Sequence, residues 1–276
     1  MAQSQGVPWE RWLSVGGSIV APVTAISALL FYFGYVSTLE EYLFFGLDVD
    51  TIGLTTQDFV MRSGQPLLVP LIVLTLVGAA AVLAGRRLRP WLLQHARRGA
   101  AVGAGLLLLG LVLLLAYPAW GQETYYPLGT PLLFALGATV TAYSLGLQQA
   151  PVPARVALWV VVAAAVFWAN ATVAQWSGAG LAREQAAHLH ELAQVVVDTQ
   201  ERLYVRSPDI GESVLPAEEG QKFRYRYRGL RLLIQNGDRM FLVPCRPAGS
   251  GCVWRQGSPT LLLRQGEATR VQFLAP

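Results

Sequence analysis

Five stretches of this chain are apolar for long enough to cross a lipid bilayer, and nothing else in the sequence constrains its fold as much. A spanning helix needs about 20 residues at a rise of 1.5 Å per residue. Residues 13–35, 67–84, 100–117, 132–147 and 156–173 meet that length, the fourth once 129–131 are added to it. With 53% apolar and 14% charged residues over 276 positions, the balance is far from that of a soluble domain. With their flanking turns, the helices are expected over 13–35, 58–85, 100–117, 129–147 and 155–175. The sequence thus predicts a membrane all-α bundle of five transmembrane helices over 1–176, then a small extracytoplasmic α+β domain. In that domain a stalk helix over 177–206 leads into an antiparallel sheet over 207–276.

Charge sets the orientation. GRRLRPWLLQHARRG carries Arg86, Arg87, Arg89, Arg97 and Arg98 with no acid to offset them, which by the positive-inside rule places it in the cytoplasm. Counting crossings from there leaves the N-terminus inside, with the acidic loop 36–57 and YPAWGQETYYPLG outside. Everything after the fifth helix also lies outside. The first apolar block follows MAQSQGVPWERW, which lacks the pattern of a cleaved leader, so it is expected to remain in the mature protein. One lysine among many arginines, with abundant Ala, Gly, Leu and Pro, suits a GC-rich bacterial genome. The expected location is the bacterial plasma membrane.

The two cysteines agree with that orientation. Cys245 and Cys252 flank a PAGSG turn between apolar segments that read as strands, a pattern that fits a disulfide closing a hairpin in an oxidising compartment. The alternative is a pair of free thiols or half of a metal site, which needs further Cys or His partners nearby.

Along the chain, small residues at Gly17, Ala21, Ala25 and Ala28, and again at Gly99 and Gly103, allow close approach of helix backbones, although composition alone also scatters such residues. The outer loop is acidic (Glu40, Glu41, Asp48, Asp50) and also apolar (Leu43, Phe44, Phe45, Leu47), and is expected to lie along the interface as a short helix. Thr55 followed by Asp58 reads as a capping box opening the second spanning helix. Asp58, Arg62 and Gln65 then either belong to one long helix or line a wet vestibule.

The run YFGYVSTLEEYLFFGLDVDTIGLTTQDFVMRS, followed by several helices and a tail containing YRYRGLRLLIQNGDRMFLVP, resembles a group of uncharacterised multi-pass membrane proteins of high-GC actinobacteria. The resemblance covers most of the chain and implies a membrane location with a C-terminal extracytoplasmic β-domain. It carries no catalytic signature.

Beyond the fifth helix, Gly178 and Gly180 read as a hinge, and Leu189, Leu192, Val196 and Leu203 recur at helical spacing as an amphipathic stalk. Glu184, His188 and Glu191 would share one side of it, read as a solvated charged face in preference to a metal face. KFRYRYR then alternates Phe223, Tyr225 and Tyr227 against Arg224, Arg226 and Arg228, a half-buried strand. RLLIQNGDRMFLVP reads as a hairpin turning at Asn236 and Gly237 in a type I′ turn, and TLLLRQGEATRVQF as a second hairpin.

Phosphate loops, zinc helices, nucleophile elbows and intramembrane carboxylates are all missing from the sequence, as is any nucleic-acid motif, so no cofactor, metal or enzymatic activity is expected. Three adjacent arginines on one strand face repel one another unless an anionic partner sits opposite. The candidate binding residues are therefore Arg224, Arg226 and Arg228, with Glu40, Glu41, Asp48 and Asp50 of the outer loop as the anionic surface on which they are expected to dock. The expected partners are the lipid bilayer, a homo-oligomer or membrane complex, and an anionic partner on the outer face. The favoured reading is a non-enzymatic membrane protein presenting a disulfide-stabilised domain for partner or ligand binding. The alternative is a homo-oligomeric channel with an acidic outer vestibule.

Overall fold

The computed structural model describes residues 8–120, 126–205, 207–216, 219–245, 252, 254 and 257–274. Among them are the helices α1 (Pro8–Leu43), α2 (Val49–Ile52), α3 (Thr56–Arg62), α4 (Gly64–Gln94), α5 (Ala96–Trp120), α6 (Tyr126–Leu147) and α7 (Val152–Ala187). The strands β1 (Gln194–Thr199), β2 (Gly211–Val214), β3 (Tyr225–Asn236), β4 (Arg239–Pro244), β5 (Leu261–Arg264) and β6 (Thr269–Leu274) follow a short 3₁₀ turn at Leu189–Glu191. Five of the helices are long and apolar enough to cross a membrane. The PAGSG turn and the QETY portion of the loop before α6 lie outside the described residues.

The chain forms two compact units, one of Met1–Val36 and Val60–Ser177, the other of Ser37–Phe59 and Gly178–Pro276. In the first, α5 and α6 pack through glycines. A Cβ on Gly103 would lie 2.8 Å from the Gly137 carbonyl oxygen, and one on Gly137 would lie 2.9 Å from that of Gly103, so the backbones touch where no side chain fits. Of the small residues on α1, Ala21, Ala25 and Ala28 are exposed. Phe33 and Val36 of α1 bury against Ala171 and Ala174 of α7.

The second unit revises several expectations. Residues 37–59 belong to it: α1 continues to Leu43, and the short helix α2 follows at Val49–Ile52. Phe45, Leu47, Val49 and Ile52 are buried in the core of this unit, Leu47 and Ile52 with Tyr42 and Phe241. That burial explains Phe45 and Leu47, whereas Leu43 and Phe44 are exposed. No stalk helix extends to 206. α7 runs unbroken through Gly178 and Gly180 and ends at Ala187, and the VVVDT run is a strand. Both faces of that strand are buried, so its near-continuous apolar character could be read at either period. Since the helix stops at Ala187, Glu184, His188 and Glu191 do not line one helical face. The capping box is present, with Thr55 N and Oγ1 donating to Asp58 Oδ2 at 2.8 and 2.7 Å, but it opens the separate short helix α3 and not the long α4.

The strands form one antiparallel sheet in the order β5-β4-β3-β1-β6, with β2 paired to the N-terminal half of β3. β5 and β6 are therefore not a hairpin, since they stand at opposite ends of the order. In a flat sheet those ends would lie about 19 Å apart at about 4.8 Å per strand. Only residues 265–268 join them, and Thr269 N donates to Gly266 O at 3.1 Å, closing a turn inside that link. Five Cα steps of about 3.8 Å cannot both turn and span that distance, so the sheet curls until its ends approach.

The β3–β4 hairpin pairs Asn236 with Arg239, so the two turn residues are Gly237 and Asp238, one position later than expected. Gly237 alone supplies the positive φ, +57°, where a type I′ turn needs two. Within β3, Gly229 at φ +82° marks a bulge. Opposite β1, Val195 pairs with Leu230 and Val197 with Tyr227, so β3 holds one residue more than its partner. The bulge lets Tyr227 and Leu230 face the same interior, which a regular two-residue period forbids.

Candidate cationic site on the sheet

Opposite that interior, β1 places Asp198 directly between Arg226 of β3 and Arg270 of β6. The Asp198 side chain is wholly buried. Arg226 donates from Nε to Oδ1 at 2.8 Å and from Nη2 to Oδ2 at 3.0 Å. Arg270 donates from Nε and Nη2 to Oδ2 at 3.1 and 2.6 Å, and its guanidinium lies 5.0 Å from the centre of the Phe223 ring. The bonds from Arg226 first, and those from Arg270 after the opposing effect of desolvation, hold the Asp198 carboxyl below the ordinary carboxylate range. Arg226 is in turn held more firmly protonated by Asp198.

Arg224, just before β3, and Arg228 on it flank the pair in sequence and are exposed. Two guanidiniums thus engage the one carboxylate with Arg224 and Arg228 beside Arg226 in sequence, and a cationic excess remains. Each guanidinium has five N–H donors in a rigid fork, more than Asp198 engages. The buried carboxylate fixes the planes of Arg226 and Arg270, so their remaining donors are held in place before any ligand arrives. Such a patch suits a phosphate-type anion, which accepts several charge-assisted hydrogen bonds at once.

The three strand arginines were legible from the alternation in KFRYRYR. Asp198 and Arg270 were missed, and the signal was a lone acid in the apolar run QVVVDT and a lone base in TRVQF. The expected docking of the acidic loop on the arginines is not what the second unit shows. The loop is tied by its backbone: Asn236 Nδ2 donates to the carbonyls of Ile52 and Gly53 at 3.1 and 2.6 Å, Arg239 Nη1 to that of Thr51 at 3.0 Å, and Thr260 Oγ1 to that of Phe45 at 2.7 Å. Arg226 turns to Asp198 instead. Glu41 is buried and accepts from Gln185 Nε2 at 3.1 Å, while Asp48 caps α2 by accepting from Asp50 N at 3.0 Å. Glu40 is half-buried and Asp50 exposed. Asp58 falls in the second unit, with Arg62 and Gln65 in the first, so the three do not share one compact unit.

Cys245 and Cys252 are joined, with Cα atoms 5.6 Å apart. Both are buried in a cluster with Phe45, Ala182, Ala186, Leu189 and Val243, and the Trp254 ring packs edge-on to Phe45 at 5.2 Å. β4 and β5 are consecutive antiparallel neighbours, and the bridge lies within the long connection between them, from Cys245 just after β4 to Cys252. No family model, curated protein or solved structure matches the chain. The cationic patch therefore rests on its own geometry.

Proposed function

We propose that the chain is a non-enzymatic integral membrane protein of the bacterial plasma membrane, with five crossings, a cytoplasmic N-terminus and an exported domain that binds a phosphate-bearing anionic partner through Arg224, Arg226, Arg228 and Arg270. The observation that carries the reading is the fully buried Asp198 between two arginines. A carboxylate at that position orders the guanidiniums and leaves the surrounding patch cationic, an arrangement suited to a ligand and unnecessary for a merely solvated strand. The arginine-rich segment around α4 and α5, and the disulfide in the domain, support the orientation.

The full chain in nanodiscs of neutral lipid, titrated with tripolyphosphate and separately with short-chain phosphatidylglycerol or phosphatidylcholine, tests it. The expected result is saturable binding of the anionic probes that weakens with salt and is lost in the Arg226→Gln/Arg270→Gln double variant. Binding of tripolyphosphate alone assigns the partner to free or polymeric phosphate, and binding of phosphatidylglycerol as well assigns it to a lipid headgroup. Equal binding by wild type and double variant, or none by either, overturns the proposal.

A further inference from the structure

The concave side of the curled sheet, opposite the arginines, encloses a cavity of about 160 Å³. Its floor is Val197, Tyr227 and Leu242, and Leu203, Val205 and Ile210 cover it. The one hydroxyl in the wall, that of Tyr227, accepts a hydrogen bond from Leu203 N–H at 2.8 Å. The covering segment is further held by the ion pair of Arg202 Nε with Glu212 Oε1 at 2.7 Å. A wall of this kind gives a bound water few partners, and an apolar cavity of about 150 Å³ is known to stay dry and to admit a benzene-sized guest.

We propose that this cavity is a binding site for the end of an aliphatic chain, of roughly six carbons on that volume comparison. Its wall is made of branched aliphatic side chains with a single ring. One of the lining residues, Leu203, is itself apolar and exposed, at 41%, and forms an apolar threshold across which a longer chain leaves toward its polar end. The arginine patch lies on the other side of the sheet, so the two sites are separate and the failure of one leaves the other standing.

The test uses the full chain in nanodiscs with Leu203→Cys at the threshold, modified by hexyl, methyl or sulfonatoethyl methanethiosulfonate. The hexyl adduct is expected to raise the melting temperature of the outer domain above that of the methyl and sulfonatoethyl adducts by about 4 to 8 °C, the shift expected for a modest gain in a domain of this size. The same adducts on Leu274→Cys, which does not line the cavity, should not differ in that order. Because a variant at Leu203 can perturb its contact with Tyr227, the unmodified chain supplies a second reading: methyl resonances of Leu230 and Leu242 should shift saturably under xenon. A hexyl adduct no more stabilising than the sulfonatoethyl one, or xenon without effect on those methyls, overturns the proposal.

Discussion

Gly178 of α7 lies against the backbone of Ser37 in α1, and a Cβ placed on it would overlap the Ser37 carbonyl oxygen. Gly180, two residues on in the same helix, has open space at the same position. Alanine at a helical glycine ordinarily gains about 1 kcal/mol, whereas overpacking costs about 1 to 3 kcal/mol. Gly180→Ala should therefore raise the melting temperature of the second unit slightly, while Gly178→Ala should lower it or leave it unchanged and Gly178→Val should lower it clearly. Thermal denaturation of the three variants in nanodiscs checks the order.

Reduction of Cys245–Cys252 should destabilise the second unit by about 2 to 3 kcal/mol, the loop-entropy value for so short a loop, and should not release the protein from lipid. Both sulfurs are buried beside Phe45 and Leu189, so breaking the bond also disturbs that packing. Melting with and without reductant measures the effect. Alkylation of both cysteines in denatured, non-reduced protein would refute the bond.

Asp198 should make the domain acid-sensitive. Its folded-state pKa lies below the unfolded value of about 3.9, so its contribution is fully present above that value and is lost as pH falls through the lower, folded one. Asp198→Asn should cost about 1 to 3 kcal/mol at neutral pH, since it leaves the two arginines without their shared carboxylate. It should also flatten the loss of stability below about pH 4. Denaturant melts of wild type and variant across pH 2.5 to 7 (roughly the span over which a carboxylate titrates) show both effects.

Features written in local sequence were legible, and features made by distant pairing were not. The five apolar helices follow from length and composition, and the Thr55–Asp58 box and the Arg224–Arg228 alternation each need only a few neighbouring residues. Residues 37–59 could not be placed from local pattern, because the partners that tie them down, Asn236 and Arg239, lie over 180 residues away. The strand at VVVDT could not be told from a helix because both of its faces are buried, which leaves no two-residue alternation. The opposite placement of β5 and β6 depends on sheet curl, which leaves no signal in a run that otherwise reads as a hairpin.

Export of the domain built from 178–276 is the claim on which the anion-binding proposal depends, and cysteine accessibility in intact cells measures it directly. Because the two native cysteines are joined, a single new cysteine reports alone. Glu267, exposed in the domain, and Gln94, exposed at the end of α4 among the arginines, are the positions to compare. Glu267→Cys should react with a membrane-impermeant thiol reagent added outside, and Gln94→Cys should react only after the membrane is permeabilised. Reaction of Gln94→Cys in intact cells, or protection of Glu267→Cys until lysis, would contradict the orientation and with it the exported binding domain.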